Sequence, residues 1–386
     1  MRNRLLGVAV IILGCTFALG QAQYKVIYDF GTNQSAGPPT AGLVLDAKGN
    51  LYGTTAAQEA CPPDCGTVFE LTPLPNGSWV ESVIYSFCSQ PNCADGASPN
   101  GQLTFDAAGN LYGSTSRGPN VFELTPLPEG GWIYSVIYSF TDGGTAPGPG
   151  LIFDHAGNLY GSASGGLYRG GMVFELTPSE GDWTRTVLYN FCSQPNCSDG
   201  KAPLPLAFDP KGNIYGMTEF GGAKNLGTVF EMWLQNGVWT EQVIRSCGSS
   251  GMRGIYPTGG LIVDLHGDLF GATESGGSYE DGVAFELAST GSGFSEYSYS
   301  FDGADGISPD GGLVQVKSSF FGVAGGAAYE LVRQGTGARE IVLYAFPNCT
   351  NGCGPLGPLV ASGNHLYGVA GEGGTYNLGV VFEITP

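Results

Sequence analysis

A five-residue pattern, Gly-Asn-Leu-Tyr-Gly, recurs along this chain at 49–53, 109–113 and 157–161. It returns as Gly-Asn-Ile-Tyr-Gly at 212–216 and Gly-Asp-Leu-Phe-Gly at 267–271. It decays to Ser-Ser-Phe-Phe-Gly at 318–322 and reappears with an inserted His at 363–368. The aromatic positions 52, 112, 160, 215, 270, 321 and 367 stand on average about 52 residues apart, a period that marks a repeat architecture. Each copy is followed by a Val-Phe-Glu-Leu-like segment, with its Glu at 70, 123, 175, 231, 286, 330 and 383. A run led by Trp or Phe and ending near Ile-Tyr-Ser-Phe comes next. Seven such periods account for the 386-residue chain from Gln23 onward.

Within a unit the pattern is four short strands. In the first unit they are expected at Ala41–Asp46, Asn50–Ala56, Gly66–Thr72 and Trp79–Phe87, called a to d below. The runs are β-branched and aromatic and are bounded by Gly, Pro, Asn and Asp. No segment holds a helical period long enough to compete. Four-strand units of this length predict an all-β, seven-bladed β-propeller of four-stranded antiparallel blades. Tyr24–Phe30 reads as a strand d with nothing before it, and Gly379–Thr385 as a strand c with nothing after it. Pairing the two would complete the last blade and close the ring, removing sheet edges that invite aggregation.

The pattern Gly-Asn-Leu-Tyr-Gly-(Ser/Thr)-Thr, then Gly-x-Val-Phe-Glu-Leu-Thr-Pro, then Val-(Ile/Leu)-Tyr-x-Phe resembles the bacterial GloVer tandem-repeat proteins, named for Gloeobacter and Verrucomicrobia. Units six and seven depart from it, with Gln315 and Ala361 where the other strands a end in Asp. The resemblance implies an exported or surface-displayed bacterial protein and implies no activity or catalytic residue.

The start of the chain fits export. A basic Met-Arg-Asn-Arg, an apolar run and small residues before Gln23 read as a secretory signal peptide over 1–22, followed by one propeller domain over 23–386. Lipoprotein processing at Cys15 is the weaker reading, because the apolar run continues past it. No later segment reaches the ~18 apolar residues of a membrane span. With 15 Lys and Arg against 34 Asp and Glu, the net charge of −19 excludes a basic nucleic-acid footprint. An extracellular, cell-surface or periplasmic monomer is expected.

Nine cysteines follow the leader. Cys61/Cys65, Cys88/Cys93, Cys192/Cys197 and Cys349/Cys353 read as disulfides of an exported chain, either within each short loop or between neighbouring loops. Cys247 stands where other units carry Phe and reads as a buried free thiol. His155, His266 and His365 fall at a–b turns, away from the cysteine loops, so no Cys/His metal site and no cofactor are expected.

Asp46, Asp106, Asp154, Asp209 and Asp264 each precede an Asn or Asp by four residues and read as Asx turns; one carboxylate and one amide are too few for calcium. The strand-c Glu residues read as acceptors between blades, and the repeated Tyr and Trp as packing. Function is expected on the face that carries the b–c and d–a loops, where unit length varies most. Three b–c loops hold Gly-Gly-x-Tyr, at Tyr168, Tyr279 and Tyr376, and a fourth has Phe220 before its Gly pair. Asp95, Asp142, Asp199, Asp302, Asp305, Asp310, Glu219, Glu274 and Glu372 surround them in sequence. Aromatic rings beside carboxylates suit a polysaccharide, through stacking and hydroxyl recognition, and a cell-surface protein is the other partner considered. The rival view of the tyrosines is a tight turn whose ring covers the blade edge. No catalytic motif appears. A carbohydrate-active hydrolase or lyase could rest on two carboxylates, with Asp305, Asp310 and Glu372 as its nearest candidates. A purely structural envelope protein is the third reading.

Overall fold

The computed structural model describes residues 22–31, 37–56, 61, 65–142, 145–249, 252–291, 293–304, 306–334 and 337–386. The apolar N-terminal run with Cys15, and the candidate Asp305, lie outside them. The described residues are all β apart from turns and three single-turn 3-10 helices, at Pro91–Cys93, Pro195–Cys197 and Cys349–Asn351. The strands form four-stranded antiparallel sheets, one per sequence unit, in a propeller-like arrangement. In unit one they are Val44–Leu45, Leu51–Thr55, Thr67–Pro73 and Trp79–Ser86. Strand a is broken in unit four, into Lys201–Pro203 and Ala207–Phe208. The sheets of units five and six touch through one parallel bridge, Gly260 to Gly312. The first strand, Gln23–Asp29, pairs antiparallel with the last, Val380–Thr385, setting Tyr24 opposite Ile384 and Asp29 opposite Val380.

The repeated letters have repeated physical jobs. A Cβ on Gly53 would overlap the ring of Phe69, and the same holds for Gly113 with Phe122 and Gly368 with Phe382. The final Gly of the pentapeptide is therefore the slot for the Phe of the following strand c. The Phe that ends strand d is buried at Phe30, Phe87, Phe140, Phe191, Phe301 and Phe346, and truncating any one would cost about 3–5 kcal/mol. Unit four has Cys247 there, a buried free thiol whose Sγ lies 3.6 Å from Met252 Sδ, so a flexible neighbour fills the space left by the missing ring.

The Asx turns form as expected. Asp46 Oδ1 accepts from the backbone N–H of Lys48 and Asn50, both at 2.8 Å, and Oδ2 accepts from Asn50 Nδ2 at 3.0 Å. The strand-c glutamates correct the expectation of an inter-blade role. Glu70 accepts from the Tyr52 hydroxyl of its own sheet at 2.8 Å, and Glu123, Glu175 and Glu231 accept from Tyr112, Tyr160 and Tyr215. Tyr and Glu sit directly opposite on adjacent strands, so the nearest donor lies within the unit. Unit five has Phe270 in place of the Tyr. There Glu286 reaches outward instead, to Arg333 of unit six at 2.7 Å.

Strand d adds side-chain contacts between units. In units one, two, three, four and seven, one position in strand d meets the Tyr of the preceding unit's strand d. Tyr28 donates to Glu81 Oε2 at 2.5 Å, Tyr85 stacks on Tyr134 at 3.9 Å, Arg185 lies over Tyr138 at 5.4 Å, and Tyr344 stacks on Tyr24 at 3.6 Å. Tryptophans add edge contacts across the same boundaries: Trp79 with Tyr367, Trp132 with Tyr52 and Trp183 with Tyr112.

Glu241 occupies this joint position in unit four. Burial pushes its carboxyl up to about 7, the hydrogen bond with Tyr189 opposing and the charge of Asp199 reinforcing the rise. Its Oε1 is buried without a partner. The unfolded carboxyl titrates near its ordinary value of 4.5, so the fold favours the protonated form. The stability it contributes is complete below that value and is lost as pH rises toward 7. Glu241→Gln is therefore expected to leave the melting temperature at pH 5 almost unchanged. At pH 8 it should raise stability by about 1–2 kcal/mol, after allowance for solvent screening. Melting curves of both proteins across this range check the sign; equal slopes against pH would refute it.

Candidate functional site

The b–c loops of units three, four, five and seven share one backbone. Two glycines open the loop, and a residue with φ near +60° follows three positions later: Arg169, Asn225, Glu280 and Asn377. The N–H of a closing glycine then returns to the carbonyl of the first, as in Gly171 to Gly165 at 2.9 Å and Gly379 to Gly373 at 3.0 Å. The side chain just before the positive-φ residue is held at the loop tip. It is Tyr168, Tyr279 or Tyr376 in three units and Lys224 in unit four. The three rings are 51%, 61% and 53% exposed, too open to serve mainly as covers for a sheet edge.

These loops lie against d–a loops, so both classes share a face. A Cβ on Gly170 would meet Phe191 and Cys192, and one on Gly221 would meet the Cys197 carbonyl. The disulfides are local: Cys61–Cys65, Cys88–Cys93, Cys192–Cys197 and Cys349–Cys353. Among the described residues, Cys61 and Cys65 gather with Cys88, and Cys349 and Cys353 with Glu372, but every sulfur of these groups is in a disulfide and is not a thiolate ligand.

The other nominated residues scatter. Phe220 ends the strand Ile214–Phe220 and packs edge-on against Tyr256 at 5.9 Å. Glu372 ends His365–Glu372 beside the Cys349–Cys353 bridge. Asp310 is not on the loop face. It lies in Ile307–Val316 and lines a central cavity of about 670 Å³ to which strand a of every unit contributes. Confinement there pushes its carboxyl up, with the backbone N–H groups of Gly357 and Gly311 opposing. Asp310 and Glu372 are thus held in different surroundings.

Asp95 and Asp199 are structural rather than ligand-facing. Each is buried inside its Cys-Ser-Gln-Pro-Asn-Cys loop. Asp95 Oδ2 accepts from the Tyr85 hydroxyl at 2.7 Å and from Ser89 N at 2.9 Å, and Asp199 repeats the pattern with Tyr189 and Ser193. Burial raises the Asp95 carboxyl, but these bonds outweigh it and hold it below the usual range. The two copies of that loop were visible in sequence; that the acid faces inward was not.

One feature was missed from sequence. A cavity of about 730 Å³ opens between units two and three, lined by Asp142, Leu167, Arg169, Arg185 and Asn190 among others. Arg185 Nη2 pairs with Asp142 Oδ2 at 2.9 Å, and that hydrogen bond holds the Asp142 carboxyl below its ordinary range. The signal available was an Arg at 185 and another at 169 in a chain with few cations.

A model of the Gloeobacter/Verrucomicrobia repeat matches residues 120–332. No curated protein matches the sequence. Among solved structures, 288 chains are similar in fold, so the likeness is to an architecture rather than to one activity. Virginiamycin B lyase from Staphylococcus aureus superposes with a TM-score of 0.60 at 12% identity, over 95% of this chain and 99% of that one. PorZ, a surface component of the type-IX secretion system of Porphyromonas gingivalis, gives 0.54 at 14% identity, over 89% of this chain and 46% of that one. Among the described residues no helix is long and apolar enough to cross a membrane.

Proposed function

The chain belongs to the Gloeobacter/Verrucomicrobia repeat family, and from that premise we propose that it is an exported binding module that recognises a polysaccharide through its b–c and d–a loop face. The scaffold of this reading is a closed seven-bladed propeller over 23–386, its last blade completed by the first strand, with residues 1–22 removed as a signal peptide. The observation that carries the proposal is the presentation of Tyr168, Tyr279 and Tyr376, half-exposed on glycine-hinged loops of one conformation. A ring fixed by its loop loses little conformational freedom when a flat sugar face stacks on it. The four disulfides support the same reading, since they stiffen loops of this face and belong to an oxidising compartment.

The test is a thermal-shift screen of residues 23–386 against plant and microbial polysaccharide fragments. A ligand at 100 times its Kd stabilises by about 2.7 kcal/mol. Replacing all three tyrosines with Ala is expected to abolish the shift and to leave the unliganded melting temperature within about 1 °C, because half-exposed rings contribute little packing. A large loss of stability would instead make them packing residues. A screen without any glycan response would turn the proposal toward a surface protein as partner.

A further inference from the structure

The cavity between units two and three is set apart by the charge at two of its positions. Arg185 stands opposite Leu176 on the neighbouring strand. The equivalent residues are Glu81, Tyr134, Glu241, Glu296, Glu340 and Tyr24. Arg169 holds the positive-φ place that is Asn225, Glu280 or Asn377 in the other loops of this form. Unit three alone puts a cation at both positions. Both arginines, with a single carboxylate, Asp142, line the same cavity, which leaves it one positive charge in excess on a protein of net charge −19.

The geometry suits a bound anion. The Arg185 side chain is only 16% exposed, its guanidinium lying over the rings of Tyr138 and Phe140 at 5.4 and 5.2 Å, with one edge held by Asp142. A guanidinium fixed in this way keeps N–H groups for a planar, bidentate partner. Arg169 has no ion-pair partner among the described residues. Asn190 Oδ1 accepts from Leu167 N at 2.9 Å, leaving its amide NH₂ as a further donor in the lining. Leu167 is 74% exposed, and Tyr168 stands next to it at the loop tip. A volume of about 730 Å³ is within the range of sites that enclose small ligands.

We propose that this cavity is a subsite for a carboxylate-bearing sugar, a uronate residue of an acidic polysaccharide. Arg169 and Arg185 hold the carboxylate, Asp142 accepts from ring hydroxyls, and Tyr168 stacks on the adjoining residue. The proposal rests on the glycan reading above and narrows it to a charge class.

The test is calorimetric titration of residues 23–386 with trigalacturonate and with neutral galactotriose, at low and high salt. The uronate is expected to bind at least about tenfold more tightly than the neutral trimer and to weaken as salt rises. Arg169→Asn installs the residue that units four and seven carry at this φ, so the fold and the melting temperature should be retained. It should weaken the uronate about tenfold and leave galactotriose unaffected. Equal uronate affinity for the two proteins, or no preference for uronate over the neutral trimer, overturns the proposal. Binding of the neutral trimer without that preference leaves the glycan reading intact and sinks this one. Silence toward both trimers overturns the subsite, while a response to other glycans in the wider screen would still uphold the general reading.

Discussion

Removing residues 23–31 abolishes the cooperative unfolding transition of the protein: this is the largest effect expected from any change to it. The segment buries Phe30 completely and Tyr28 nearly so, and Tyr24 stacks on Tyr344. Truncation of a buried aromatic typically costs about 3–5 kcal/mol, so losing this set matches a whole domain's net stability of about 5–15 kcal/mol. The deletion also strips the partner from Val380–Thr385, leaving an apolar strand with an unpaired edge. Tyr28 further ties the first strand to Glu81 of unit one. Calorimetry should show a broad, weak transition in place of a single sharp one, with aggregation on heating. A synthetic peptide of residues 23–31 added in trans should restore part of the transition. A truncated protein that melts sharply within about 3 °C of the parent would show that this strand is dispensable.

Gly311→Ala is expected to be nearly as damaging, and Gly354→Ala serves as its control. Both positions have positive φ, +78° and +61°. A Cβ on Gly354 meets nothing within 4 Å, whereas one on Gly311 would overlap the backbone of Gly357, and one on Gly357 would overlap Gly42. The strand-a segments of units six and seven and the residues just before strand a of unit one therefore touch backbone to backbone at the wall of the central cavity. Side-chain movement cannot relieve an overlap with main chain. Gly354→Ala should cost only the backbone term, about 1–2 kcal/mol, while Gly311→Ala should cost more than about 4 kcal/mol. Denaturant midpoints of the two variants decide it. Similar losses would mean that conformation alone, and not the close approach, requires glycine at 311.

The acid limb of stability should run opposite to the Glu241 effect. Asp95 and Asp154 are held below the usual carboxylate range despite burial, by hydrogen bonds from Tyr85 and the backbone in one case and from Asn158 and the backbone in the other. Their contribution is present above the unfolded carboxylate range and is lost as pH falls through the depressed values. With Glu241 losing its contribution toward neutral pH, maximal stability is expected on the acidic side of neutrality.

Much of this architecture was legible in the residues because each repeated letter does a local job. Asp46 and Asn50 close a turn within five residues, and Gly53 makes room for Phe69 across one hairpin. Such contacts lie close in sequence, so their periodicity marks the strands and their order. The sequence left the cysteines to pair within each loop or between neighbouring loops, and the structure closes all four bridges within their own loops. The expectation for the strand-c glutamates failed because it weighed the need for a donor without the register. Tyr52 stands directly opposite Glu70, so the donor was already in the sheet.

The loop face was harder to read. Asp95, Asp199 and Asp310 belong by composition with the exposed acids, yet two turn into their own loops and the third faces the central cavity. A carboxylate's sequence neighbours do not reveal whether a Tyr hydroxyl or a backbone N–H will reach it.

By itself the sequence determined the repeat, the all-β class, the strand order within a unit and the Asx turns, since all of these depend on residues a few positions apart. Only the tertiary structure decided which strand d meets which, where Asp310 points, and that Arg169 and Arg185 of one unit share a cavity with Asp142 of the one before. Those outcomes depend on the packing of one sheet against the next, where burial, charge and backbone approach act between residues that no spacing in the chain connects.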